Sequence, residues 1–205
     1  MSATLLTVEQ NEALQEIANI GMGRAGRSLA GVFEEFVELS VPRLREAGLA
    51  ELPGAVARLI PDETLTAVRQ AFFGRVRGEA VVVFGTTGCR DLAGLMGYDD
   101  ALTDAEKDEL LLDVSNLIVS ACLGGIAEQL GAKVSFSAPS VLASHISPAG
   151  IFEHTRHAPP GSGALIVEVN FRLERQCFAC SLLMMLPEEG VRIIGSALDE
   201  FLARF

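Results

Sequence analysis

The sequence predicts an α/β (α+β) fold in which two similar halves, related by a pseudo-two-fold, share one largely antiparallel sheet with helices packed on it. An internal duplication predicts the two halves. With a constant offset of 97 and no gaps, Glu9–Pro42 matches Glu106–Pro139 at eight of 34 positions. The identical pairs are Glu9/Glu106, Glu12/Glu109, Leu14/Leu111, Asn19/Asn116, Ala30/Ala127, Val37/Val134, Ser40/Ser137 and Pro42/Pro139. Unrelated chains of average composition would share roughly 2. The order of elements in each half predicts the sheet: a helix, a short strand ended by proline, a hairpin, then a helix. Hydrophobic residues at 49% and charged residues at 21% are enough apolar material for a core in a chain of 205 residues. The repeats are expected at approximately residues 5–100 and 101–205 of a single domain.

Each half opens with a helix. Thr7 precedes an amphipathic run with Glu9 and Gln10 in its first turn, and Thr103 precedes Ala105, Glu106 and Glu109. Both helices continue through small residues (GMGRAGRSLAGVF, LIVSACLGGIAEQLG) into the strands VELSVP and KVSFSAP. Next in the first half come TAVRQAFFGRV, a turn at Arg77-Gly78, the strand EAVVVFG and a helix near CRDLAGLMG. The second half gives GALIVEVNFRLE, a turn, CFACSLLMML and the closing helix GVRIIGSALDEFLARF. Ser147–Gly163, rich in proline and glycine, reads as a long loop.

Composition removes several function classes. A net charge of -11 disfavours phosphate backbones and anionic membranes, so neither nucleic acid nor membrane is an expected partner. Without tryptophan and with one tyrosine, no aromatic platform for single-stranded nucleic acid is evident. The N-terminus carries no basic segment followed by an apolar one. The uncharged and mostly apolar run Asn116 to Ala127 is short of the ~18–20 residues that span a bilayer. Cys89, Cys122, Cys177 and Cys180 follow no disulfide spacing, which predicts reduced, buried thiols in a cytoplasmic protein.

Two carboxylate–amide pairs carry the chemistry. Glu16 and Asn19 are spaced i, i+3, as are Asp113 and Asn116, which puts each pair roughly 60° apart on a helix. Glu12 and Glu109 extend each stripe one turn toward the N-terminus. Asparagine is a mediocre helix former, so its presence at the same mid-helix position twice points to a use beyond propensity. A carboxamide both donates and accepts; it cannot act as a base at neutral pH, but it can hold a water. The plain alternative is a solvated polar face on each amphipathic helix.

The pattern Glu-x-x-Asn, then 22 residues and a proline, resembles the signature of the CheC, CheX and FliY phosphatases. Glu16, Asn19 and Pro42 meet it, as do Asn116 and Pro139 with Asp113 in place of glutamate. LQEIANIGMGRAGRSLA and VELSVP are similar to the family's first helix and strand, and length and duplication are closest to CheC. The resemblance implies a cytoplasmic chemotaxis phosphatase that removes the aspartyl phosphate from a CheY-like response regulator. It implies that Asn19 and Asn116 enter the regulator's active site, that Glu16 and Asp113 contact its invariant lysine, and that Glu12 and Glu109 lie in the docking surface. Pro42 and Pro139 are structural parts of the motif. The resemblance implies further that no cofactor belongs to the chain itself, Mg²⁺ being expected from the regulator. A CheD-like deamidase is a second partner that some relatives take, which keeps a non-catalytic module as the alternative. The chain departs from the pattern where the family usually has Asp or Ser, at Glu12 and Glu109. Asp113 is also shorter than glutamate by about 1.3 Å. With nothing after Phe205, FliY is the less expected member.

Four other signals are given no chemical role. Gly21-Met-Gly-Arg-Ala-Gly26 fits G-x-G-x-x-G, but a helix precedes it, so small residues for close helix approach is the expected role. Cys177 and Cys180 lie three apart in an alternating strand and so point to opposite faces, which disfavours zinc or redox chemistry. Glu153, His154 and His157 fall in the long loop, where solvated side chains are expected. Leu182–Leu186 reads as a buried strand.

Overall fold

The computed structural model describes residues 5–48, 64–85, 102–147, 163–173 and 179–203, with the single positions 54, 92 and 150. Helix α1 spans Val8–Phe33 and helix α2 spans Asp104–Gln129, 26 residues each. Both begin with a reciprocal cap: Thr7 with Gln10, and Thr103 with Glu106, exchange side-chain and backbone bonds. The third capping position is thus Gln10 in α1 and Glu106 in α2. Glu9 and Glu106, identical in the sequence match, therefore hold different positions relative to their caps. Thr103 lies 96 residues after Thr7, whereas Asn116 lies 97 after Asn19, so α2 reaches its asparagine one residue later.

From Leu14 to Ala25 the buried face agrees position for position with that of α2, whereas Leu29, Phe33 and Gly125 have no buried counterpart. Leu14, Ile17, Ala18, Gly21, Met22 and Ala25 of α1 correspond to Leu111, Val114, Ser115, Ile118, Val119 and Cys122 of α2. This i, i+3, i+4, i+7 stripe turns the remaining face outward. The helices cross where glycine meets glycine. A Cβ on Gly21 would lie 2.9 Å from the Ile126 backbone nitrogen, and one on Gly125 would lie 2.8 Å from the Gly21 carbonyl oxygen. The close-approach role expected for the glycine segment holds at Gly21; at Gly23 a Cβ would meet nothing within 4 Å.

The eight strands are β1 (Val37–Leu39), β2 (Arg43–Gly48), β3 (Leu65–Gly74), β4 (Gly78–Gly85), β5 (Val134–Phe136), β6 (Ser140–Ile146), β7 (Gly163–Leu173) and β8 (Ala179–Pro187). Helix α3 (Glu188–Leu202) follows the last strand directly. All pairings are antiparallel, in the order β1-β7-β8-β4-β3-β5, with β2 also on β7 and β6 also on β3. The order is unchanged when β1 to β4 are exchanged with β5 to β8, which is the pseudo-two-fold. Each motif helix feeds its short strands onto the hairpin of the other half: β1 and β2 onto β7, β5 and β6 onto β3. Neither half completes its own sheet, so the two helices are held in one rigid frame.

β2 and β6 are absent from the sequence reading, which ended each strand at its proline. The structure instead shows one edge strand interrupted there. β1 pairs with Phe171–Leu173 and β2 resumes on residues 163–168 of the same neighbour. Proline has no N–H to give the ladder, so the pairing breaks at Pro42 and Pro139 and then continues. The serine two residues earlier bridges the gap. The Ser40 N–H donates to the Asn170 carbonyl (2.9 Å) while its Oγ accepts from the Asn170 N–H (3.0 Å). Ser137 makes the same pair of bonds with Ala71, at 2.9 and 3.1 Å. That shared role explains why Ser40 and Ser137 are identical in the two halves.

Residues 81–85 of β4 and most of Leu182–Leu186 in β8 are buried, as the central position of these strands requires. Cys122 and Cys180 are free and fully enclosed, and burial pushes both thiols well above their ordinary range. Cys89, Cys177, Glu153, His154, His157 and most of the expected loop lie outside the described residues, as does the expected helix near CRDLAGLMG except for buried, helical Leu92. Helix α2 is long and apolar enough to cross a membrane by length and composition. Here its apolar face packs on α1 and the sheet, which is the use a core helix makes of that composition.

Candidate functional site

Glu12, Glu16 and Asn19 all lie on the exposed face of α1, and Glu109, Asp113 and Asn116 on the exposed face of α2. The helical repeat alone places them there, because each stripe is offset from the buried one. Among the described residues, none of the four carboxylates forms an ion pair; Arg24, the nearest cation in sequence to Asn19, is paired with Glu128. Each helix therefore presents unneutralised carboxylates one and two turns before an accessible amide. The arrangement can engage a basic group and a polar reacting centre on a visiting surface.

The two amides differ in their support. Among the described residues Asn19 has no side-chain hydrogen bond. It borders a cleft of about 360 Å³ lined also by Gly23, Gly26, Arg27, Phe36 and Ser40. Phe36 is 63% exposed at its rim. The corresponding positions of the second half carry Leu123 for Gly26 and Phe136 for Leu39, both half-buried. In the other direction, Gly124 stands for Arg27 and Val119 for Met22, so the surroundings of the two amides differ in shape.

Asn116 is held from below. Its Oδ1 accepts from Gln70 Nε2 at 2.7 Å, and the same nitrogen donates to the Ser137 carbonyl at 2.8 Å. Gln70 is 1% exposed and sits in β3 between Val68 and Phe72, on the face that packs against the helices. Its Oε1 is buried with no hydrogen-bond partner among the described residues, an arrangement that costs about 1–3 kcal/mol. Sequence reasoning missed Gln70. The signal was present: a single polar residue in the otherwise apolar alternation Val68, Gln70, Phe72.

No protein-family model matches the sequence. Solved structures do match in shape. FliY of Thermotoga maritima superposes with a TM-score of 0.71 at 18% identity, covering 96% of this chain and 99% of that one. This is the fold of the CheC, CheX and FliY chemotaxis proteins. CheX of Desulfovibrio desulfuricans matches it at a TM-score of 0.51 and 15% identity over 83% of this chain and 99% of that one. The middle domain of FliM from H. pylori also has it, at 0.61 and 12% identity over 94% of this chain and 99% of that one. The expected duplicated fold and the family resemblance thus agree with the structure. At these identities the shared fold does not separate FliY from CheC. Fold alone does not fix an activity, which has to be argued from the site.

Proposed function

We propose that this chain dephosphorylates the phosphoaspartate of a CheY-like response regulator, using one site on each motif helix. The observation that carries the reading is the paired exposed stripe: an amide preceded one turn earlier by an unpaired carboxylate, on two helices locked into one frame. Asn19 and Asn116 orient the attacking water, while Glu16 and Asp113 dock on a lysine of the regulator. Glu12 and Glu109 extend the docking surface.

The chemistry asks little more of the chain. A bond forms from the water oxygen to phosphorus as the bond to the aspartyl oxygen breaks. The carboxylate leaves with the electron pair, and the water proton passes to phosphate or solvent. The transition state is loose, so catalysis is mostly positioning. Positioning contributes up to ~7–11 kcal/mol in ideal cases, and a carboxamide that fixes the water supplies part of it. The Mg²⁺ that stabilises the phosphoryl charge belongs to the regulator, and no cofactor of this chain is required. The shorter Asp113 makes the second site the weaker in docking. The test is the decay of a phosphorylated CheY-like regulator with and without the protein; decay at the intrinsic rate at saturating protein overturns the proposal.

One observation favours a second reading, a docking module without hydrolysis. The same fold occurs in FliM, solved in complexes with FliG and with SpeE from H. pylori. On that reading the stripes bind a phosphorylated regulator or a CheD-like deamidase, and the regulator's decay is unchanged although the complex forms.

A further inference from the structure

We infer that Gln70 is a positioning residue that fixes the amide of Asn116 in one orientation, so that the second site is preset while the first adapts to its visitor. The inference rests on the phosphatase reading for its functional consequence, though not for its geometry. The orientation follows from a chain of donors and acceptors. The Ser137 carbonyl can only accept, so the Gln70 end facing it must be Nε2. The same nitrogen then faces Asn116, whose near atom must be Oδ1. Asn116 Nδ2 is therefore turned away from β3, and only one lone pair of Oδ1 is left for a water. A flipped Gln70 would set its oxygen against the Ser137 oxygen and bury two unmet N–H donors.

The first half lacks this device. Ser137 bonds to Ala71 just as Ser40 bonds to Asn170, and Phe136 pairs with Phe72 just as Leu39 pairs with Phe171. The position equivalent to Gln70 is therefore Val169, which can donate nothing to Asn19. On either side of this position the row is alike, with Phe72 matched by Phe171 and Val68 by Val167; one step further Thr66 stands where β7 has Leu165. A buried glutamine in one half and valine in the other marks where the two sites diverge. Pre-organisation by a supporting residue removes the cost of freezing a side chain when the complex forms.

Two measurements test this on the full chain. In side-chain amide NMR relaxation, the Asn116 NH₂ should be more ordered than that of Asn19, and Gln70→Met should erase the difference. Equal order in the unmodified protein overturns the inference. In the second, decay of a CheY-like regulator phosphorylated with acetyl phosphate is followed in single-site backgrounds. Gln70→Met should lower kcat about fivefold in the Asn19→Ala background, equivalent to about 1 kcal/mol, with KM unchanged. In the Asn116→Ala background it should do nothing. Equal losses in both backgrounds would mean that Gln70 acts only through stability and overturn the inference. If Gln70→Met fails to fold, Gln70→Val copies the residue that β7 already carries. Should Asn19→Ala/Asn116→Ala be as active as the unmodified chain, the phosphatase reading fails while the relaxation measurement still decides the role of Gln70.

Discussion

Replacing Gly21 with alanine should destabilise the protein, whereas the same change two residues later at Gly23 should stabilise it. Both glycines are in α1, and alanine gains about 0.8–1 kcal/mol of helix propensity at either. At Gly21 the new methyl would meet backbone, not a flexible side chain: the Ile126 nitrogen at 2.9 Å and the Gly125 carbonyl carbon at 3.0 Å. Ordinary contact begins near 3.4 Å, so the helices must separate by several tenths of an ångström. Such overpacking costs about 1–3 kcal/mol, and because backbone cannot rotate away the upper part of that range applies. Subtracting the propensity gain leaves a net loss of about 1–2 kcal/mol. For a chain of this size, 1 kcal/mol moves Tm by about 2–4 °C. Gly21→Ala should thus lower Tm by about 2–8 °C, and Gly23→Ala, exposed and with nothing within 4 Å, should raise it by about 2–4 °C. Calorimetry on the two variants reads both shifts. A Gly21→Ala protein as stable as Gly23→Ala would refute the crossing as the reason for glycine.

Three further outcomes follow from the geometry. The Thr103 hydroxyl, and then its backbone N–H, hold the Glu106 carboxyl below its ordinary range, so its contribution is complete above the unfolded value near about 4.3 and is lost as pH falls through the lower folded value. Glu106→Gln, which copies the uncharged Gln10 of α1, should make Tm less dependent on pH below about 4.3, and identical pH profiles would contradict this. Cys122 and Cys180 should resist alkylation at pH 8 until the protein unfolds, because buried thiols with raised pKa supply no thiolate; peptide mapping that finds either labelled in the native protein would refute their enclosure. In an Asn19→Ala background, Asp113→Glu should lower KM for the phosphorylated regulator a few-fold by restoring about 1.3 Å of reach, and an unchanged or higher KM would remove Asp113 from the docking surface.

The sequence revealed those parts of the fold that repeat with a fixed period. The stripes from Leu14 to Ala25 and from Leu111 to Cys122 are legible because helical spacing sorts apolar from polar residues without regard to partners. The same sorting placed Asn19 and Asn116 on the outside. β2 and β6 were illegible for the opposite reason. RLREAG and SVLASHI carry little alternation, and their pairing is fixed by strands more than a hundred residues away in one case and about eighty in the other. The prolines were visible, but whether a proline ends a strand or merely interrupts it depends on whether the neighbour runs on past the gap. Gln70 was visible as an oddity in β3, yet its partners Asn116 and Ser137 are brought to it only by tertiary packing.

The most direct test of the account is the rate of phosphate loss from a CheY-like regulator in the presence of Asn19→Ala/Asn116→Ala, measured alongside its binding to the phosphorylated regulator. The account predicts that binding persists while the acceleration given by the unmodified chain disappears, with each single variant retaining part of it. Full acceleration by the doubly substituted chain would contradict it, because no amide would then be needed to hold the water.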